Sequence, residues 1–319
     1  MVHLTDNDLK AIEIIKDKKL QCSFAESHVA ITNPWDGVRP CCQFKKEEGN
    51  APSMKNFNTF QDIINDKHRK ELLNNLDNNI KDDRCIACWE LEKRKLYSKR
   101  SLDLNYFKPI RGSFQSMEFA LDFTCNMMCR ICGPGNSSKW ASAKNLINDL
   151  NSINKENLYP IDFSAKNHTS DIKRLFENSN LLEIQHIKLA GGEPLYSKHF
   201  KWLIDILIEK ANPKQIELHI ITNASLFPNK DILNKLLKFK KVKINISIDG
   251  YGDFQTCIRP PTPWNIIDKN IKLWYKTPFE KTFCVTLSIL NINMMQNLYD
   301  YILNLTKDEL GLTILHEPL

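Results

Sequence analysis

No apolar run in the 319-residue chain reaches the roughly eighteen residues that would cross a bilayer. The opening stretch, "MVHLTDNDLKAIEIIKDKK", reads as a charged amphipathic helix and lacks the apolar heart of a signal peptide. These two absences place the protein in the cytoplasm, with no membrane partner. Internal repeats and low-complexity tracts are missing as well, which sets aside solenoids and tail-like segments. The lysines form no blocks. Net charge is +6, scattered among Asn and Ile, so a nucleic-acid partner has only the overall charge behind it.

One loop is also short of a cysteine. "DFTCNMMCRICGPG" carries Cys125, Cys129 and Cys132 but no fourth. A structural zinc site takes four ligands and disulfides take an even count. Three thiolates suit a four-iron cluster, in which one iron then has no protein ligand and can bind a small molecule. Zinc stays open as the alternative, with Asp122 or a distant cysteine as fourth ligand. The chain has ten cysteines, eight of them before residue 133, and a reducing compartment turns such clusters toward metal. Cys257 and Cys284 stand apart and read as a loop thiol and a small inward side chain.

Beyond residue 110 two periodicities alternate. "SMEFALDF", "HIKLAGGEP", "IELHIITNA", "KVKINISIDG", "TFCVTLSILN" and "LTILHEP" read as strands. Between them, Phe200, Leu203, Ile204, Leu207 and Ile208 mark one helical face. Ile232, Leu233, Leu236 and Leu237 mark another. Ile267, Ile271 and Trp274 mark a third, behind Thr262 as N-cap and Pro263 at the first helical position. Strand and helix in alternation predict a parallel sheet with right-handed crossovers. Six units are too few for the closed eight-stranded barrel, so the expected class is α/β, an open partial (β/α)6 barrel over residues 111–319. In "VKINISID" the apolar set Val242, Ile244, Ile246 and Ile248 faces the helices, which sends Asn245, Ser247 and Asp249 inward. The same phase sends His219, Asn223, Cys284, Thr286 and Ser288 inward, giving a polar lumen suited to a ligand. Residues 1–110 lack this rhythm and form a small cysteine-rich domain, with a linker near 101–113.

With these pieces in place, the chain resembles the radical S-adenosylmethionine (SAM) superfamily. Its hallmark is Cys-x3-Cys-x2-Cys, here Cys125, Cys129 and Cys132, with Ile131 just before the third cysteine. "AGGEP" ends the second strand where the family has its GGE motif, and "SID" ends the fourth. "ITNA" resembles the family's TNG-like end of strand three, with Asn223 kept and Ala224 in place of glycine. The resemblance implies that the three cysteines hold a 4Fe-4S cluster and that SAM chelates its free iron. Reductive cleavage then leaves methionine and a 5′-deoxyadenosyl radical, which abstracts a substrate hydrogen atom. It further implies that Glu193, beside Gly191 and Gly192, holds the SAM ammonium. Ser247 and Asp249 serve the ribose and methionine carboxylate, and Arg259 in "CIRPP" serves the carboxylate. The family's adenine motif has no clear counterpart in "LSILNINMMQ".

A second group, Cys22, Cys41, Cys42, Cys85 and Cys88, resembles the auxiliary-cluster segment of the SPASM/twitch subfamily, placed here ahead of the barrel. The pattern Cys22-x14-Gly37-x4-Cys42 and the pair Cys85-x2-Cys88 imply a second cluster on Cys22, Cys42, Cys85 and Cys88. Cys41 is left open as a substitute for Cys42, and zinc as a substitute for the cluster. Trp89 and Trp140 are expected to pack over the two clusters. The implied activity is modification of a peptide or protein side chain, with a flavodoxin- or ferredoxin-type electron donor. Modification of a nucleotide, RNA or small metabolite is the alternative, and an inactive metal-binding module the third reading.

Overall fold

The computed structural model describes residues 20–32, 37–45, 52–103, 108–133, 136–143, 145, 149, 168–306 and 312–315. The expected helix over 1–19 lies outside them. The chain divides into two units, one of residues 1–119, 169–187 and 210–212 and one of residues 120–168, 188–209 and 213–319.

The first unit contains a strand that hydrophobic rhythm did not signal. His28–Ile31 (β1) is buried at all four positions, so it offers no alternation to read. It follows a short helix, Ser23–Ser27 (α1), and pairs in parallel with Ser116–Phe119 (β2), where His28 Nδ1 lies 2.6 Å from Ser116 Oγ. A parallel neighbour needs a long crossover, and the helices Phe60–Ile64 (α2), Lys67–Asp77 (α3), Ile86–Lys93 (α4) and Lys99–Asp103 (α5) fill it. The expected linker at 101 therefore begins inside α5.

Arg69 on α3 ties this unit together. Its buried guanidinium donates to the carbonyls of Phe24 and Ala25, each at 3.0 Å, and of His28 at 2.7 Å. Those carbonyls lie in α1 and at its C-cap His28; Phe24 O also takes the His28 N–H, and the guanidinium adds to the few acceptor partners a five-residue helix supplies. An aromatic core completes the unit. Phe60 stacks on Phe114 at 4.4 Å and meets Phe176 edge-on at 5.0 Å, the latter from Thr169–Asn178 (α6).

His186–Leu189 (β3) is divided between the units. In the second, Glu217–Thr222 (β4), Lys241–Ser247 (β5), Glu280–Thr286 (β6) and Leu312–Leu315 (β7) pair in parallel in chain order. With β2 and β3 these are the six expected strands, in a parallel sheet of α/β class. In β5 the phase is as predicted: Val242, Ile244 and Ile246 are buried, while Lys243, Asn245 and Ser247 are half-buried.

Helices Phe200–Lys210 (α7), Lys230–Leu236 (α8), Asp253–Ile258 (α9), Trp264–Tyr275 (α10) and Met295–Thr306 (α11) follow the strands. Two details differ from expectation. Leu237 is exposed because α8 ends one residue before it. Pro263 is the N-cap of α10 and Trp264 its first residue, one step later than the Thr262 cap predicted, since Pro263 takes an extended ψ of 148°. Ile267, Ile271 and Trp274 form the buried stripe as expected. Among the described residues no helix is long and apolar enough to cross a membrane.

Candidate active site and a second cysteine cavity

The three-cysteine loop leaves β2 and is fixed by backbone hydrogen bonds from several directions. Asp122 accepts from Thr124 N at 2.8 Å and from the Ser197 hydroxyl, which turns the chain toward Cys125. Asp122 is thus engaged in the turn and does not line the cavity beside the thiols. Ser137 Oγ donates to Met127 O at 2.6 Å, and Ser138 N donates to Phe123 O at 2.8 Å. Met128 N and Arg130 N donate to the carbonyls of Pro260 and Ile258, at 2.7 and 2.8 Å.

The glycine pair has a more specific task than open approach to a ligand. Gly192 has φ +61°, and a Cβ there would sit 2.6 Å from Asp122 O and 2.8 Å from Thr124 O. A Cβ on Gly191, at φ +110°, would meet Ala120 Cβ at 2.8 Å. The cysteine loop and the segment after β3 pack backbone to backbone, with Glu193 N donating to Thr124 O at 2.9 Å. Gly192→Ala is therefore expected to destabilise the protein by at least about 2 kcal/mol, from left-handed strain plus contact with two carbonyls that have no freedom to retreat. The urea midpoint measures it.

Cys125, Cys129 and Cys132 line one cavity. Of the eight residues expected at the cofactor, Ile131, Gly192, Glu193, Asn223, Ser247 and Arg259 line it too; Gly191 and Asp249 do not. Asp249 lies beyond the end of β5, where strand phase no longer applies, and is fully buried beneath Arg259. Sequence reasoning missed Met127, Asn136, Ser137, Ile221 and Thr222 on the cavity wall. Their positions beside the motif cysteines and before Asn223 were the available signal. It also missed Asn126, whose Oδ1 accepts from Asn223 Nδ2 at 3.1 Å and whose Nδ2 donates to Ser225 Oγ at 2.8 Å. This network fixes the Asn223 amide, whose Nδ2 lies 3.9 Å from Cys125 Sγ. Ala224, in the glycine position, adopts φ 56° and is held there by Asn270 Nδ2 on its carbonyl at 2.9 Å.

Glu193 is 1 % exposed. It accepts from Thr222 Oγ1 at 2.8 Å, Asn223 N at 2.6 Å and Leu195 N at 3.2 Å, yet burial pushes its carboxyl from 4.5 up to about 7. Because the folded value lies above the unfolded one, the folded state holds the extra proton. Stability from this group is greatest below 4.5 and declines as pH rises toward about 7, by at most about 3 kcal/mol. The metal-free protein is expected to lose stability between about pH 5 and about pH 8, and Glu193→Gln to flatten that slope, in urea titrations at each pH. A buried carboxylate kept at such cost is suited to a cationic ligand.

The three thiols fit an iron–sulfur cluster by donor chemistry. Burial raises all three, Cys132 to about 12, so a cation is needed to hold them as thiolates. Asn223 and Arg259 turn N–H groups toward Cys125 and Cys129. Cys257 is exposed and Cys284 buried, and neither lines this cavity. Trp140 is not on its wall either.

A model of the Radical SAM superfamily matches residues 123–302, more than half of the chain. The chain belongs to the radical SAM superfamily. Membership indicates an enzyme and implies a 4Fe-4S cluster and SAM, for which the cavity supplies fitting residues. No curated protein matches the chain. Among solved structures it is similar to native anSMEcpe with bound AdoMet, at 16% identity and TM-score 0.43, covering 63% of this chain and 51% of that one. It is similar to Streptococcus suis SuiB bound to S-adenosylmethionine, at 14% identity and TM-score 0.40, covering 79% and 52%. It is also similar to TYW1 with a lysine-pyruvate adduct bound, at 17% identity and TM-score 0.30, covering 55% and 57%. The chain thus spans about half the length of the solved structures it matches.

The first unit holds the other cysteines. Cys22, Cys41, Cys85 and Cys88 line one small cavity, with Phe24, Leu72, Leu76 and Trp89 among its walls. Cys42, expected as a ligand, does not line it; its neighbour Cys41 does and is buried. Consecutive residues in a turn point different ways, so spacing alone could not choose between them. Cys22 precedes α1, two of whose carbonyls Arg69 holds. Cys85 and Cys88 sit at the start of α4, fixed by Asp82. That carboxylate takes a two-pronged pair from Arg84 at 2.8 and 2.6 Å, and its carbonyl accepts Trp89 Nε1 at 2.8 Å. Burial raises all four thiols, Cys22 to about 11. Among the described residues, no three ligand-type side chains converge on a point that would chelate a single ion.

Proposed function

We propose that the protein is a radical SAM enzyme that cleaves SAM reductively and abstracts a hydrogen atom from a peptide or protein side chain. The observation that carries the cleavage reading is the shared cavity. Three motif thiols, a buried carboxylate and a buried guanidinium line one wall system. When bound, the cluster and SAM together supply a 5′-deoxyadenosyl radical. The chain's residues orient and shield. Cys125, Cys129 and Cys132 would hold the cluster. Glu193 would receive the SAM ammonium, and Arg259 and Ser247 the carboxylate and ribose hydroxyls. Met127, Ile131 and Ile221 keep apolar surface against the reacting centre and exclude water.

Cys22, Cys41, Cys85 and Cys88 hold a second cluster in this reading. Four thiols lining one largely apolar cavity support it. A cluster with four protein ligands suits electron transfer rather than substrate binding, as oxidative modification of a peptide requires. Anaerobic reconstitution, reduction and chromatography for 5′-deoxyadenosine test the cleavage. Mass spectrometry of added peptides tests the substrate class. Turnover confined to RNA, with salt-dependent RNA binding, would replace peptide by nucleic acid.

A further inference from the structure

Asp249 lies two residues beyond β5, whose last residue Ser247 lines the active-site cavity, yet its carboxylate is wholly engaged elsewhere. Oδ1 accepts from Thr286 N at 2.9 Å and Oδ2 from Arg259 Nε at 2.6 Å. Its own N–H donates to Gln255 Oε1 at 2.9 Å, and its carbonyl accepts Asn291 Nδ2 at 3.1 Å. The residue is 0% exposed. Arg259 is fixed from both sides. Its N–H donates to Gln255 O at 2.8 Å, Asp249 clamps Nε, and Nη1 is left 3.8 Å from Cys129 Sγ. A guanidinium is a rigid planar fork, so clamping one edge aims the other. Burial opposes its charge, but Asp249, Cys129 and Cys132 beside it hold the proton.

We propose that Arg259 is an electrostatic partner of Cys129 that raises the reduction potential of the cluster, and that Asp249 is the positioning residue that aims it. Reduction adds one electron to a thiolate-ligated cluster. A cation with an N–H directed at one of its sulfurs stabilises the more negative state, and hydrogen bonds to sulfur are among the levers that set such potentials. The inference rests on the reading of the three-cysteine loop as a cluster site. It gives Asp249 a role that needs no contact with SAM.

The test is an EPR-monitored redox titration of the full chain, reconstituted anaerobically and without SAM. Removing Arg259 alone would strand a buried carboxylate, so the informative variants are two. Asp249→Asn/Arg259→Gln removes both charges together. Arg259→Lys keeps the charge, but a single ammonium paired with Asp249 cannot also reach Cys129. At the parent's midpoint, the reduced-to-oxidised ratio of the double variant is expected to fall about tenfold, equivalent to about 59 mV for one electron. Arg259→Lys should shift the same way by less. A parent-like midpoint in either cluster-loaded variant overturns the inference. A parent protein that takes up no cluster overturns the reading of the loop itself, which is a separate outcome.

Discussion

Cys129→Ala is expected to reduce 5′-deoxyadenosine formation to the level of a protein-free control. The side chain is buried, faces the guanidinium of Arg259 at 3.8 Å, and is one of three thiols on the cavity wall. With two thiolates left, the loop would hold a four-iron cluster poorly and would not present the single open position the proposed SAM site needs. Chromatography after anaerobic reconstitution measures the product, and the EPR signal of the reduced protein reports the cluster separately. Cys257→Ala is the matched control, since Cys257 is exposed and outside the cavity. Parent-level product from Cys129→Ala would remove the cluster from this loop.

The second large effect separates adjacent residues. Cys41→Ala is expected to lower the iron content of the reconstituted chain by about four atoms, the content of one cluster, while Cys42→Ala leaves it unchanged. Cys41 is buried beside Cys22, Cys85 and Cys88, and Cys42 is half-buried and off the cavity wall. The thiols of this cavity repel one another as thiolates, so they hold charge only when metal is present. Cys41→Ala and Cys88→Ala should both retain uncoupled SAM cleavage, because neither belongs to the three-cysteine loop at Cys125. Iron loss in Cys42→Ala, with Cys41→Ala fully loaded, would restore the assignment that spacing suggested.

The glycine and glutamate predictions rest on the same packing. Gly192 lets two backbones meet, and Glu193, next in sequence, is carried by that junction to a place without solvent. The loss expected in Gly192→Ala and the pH slope expected from Glu193 are therefore linked. Holding a carboxylate in a buried place costs stability, and a tight backbone junction is what keeps it there.

Much of this was legible in the order of residues. Cys125, Cys129 and Cys132 crowd into one loop, and helical and strand periodicities alternate from β2 to β7, because local chemistry and burial repeat at short range. The same alternation put Ser247 and Asn223 on the cavity side. Short-range rules stop where the chain leaves regular structure. Asp249 lies just past β5, where alternation no longer sets direction, so only tertiary packing turned it beneath Arg259. β1 carries no alternation because both of its faces are covered. Cys41 and Cys42 are equivalent in spacing and distinct only in which way a turn points each side chain. The sequence by itself determined the parallel α/β class and the three-cysteine motif, since both follow from residue type and period. The tertiary structure alone decided that Cys41 rather than Cys42 lines the second cavity, and that Glu193 lines the first while Asp249 pairs with Arg259, since those depend on contacts between residues far apart in the chain.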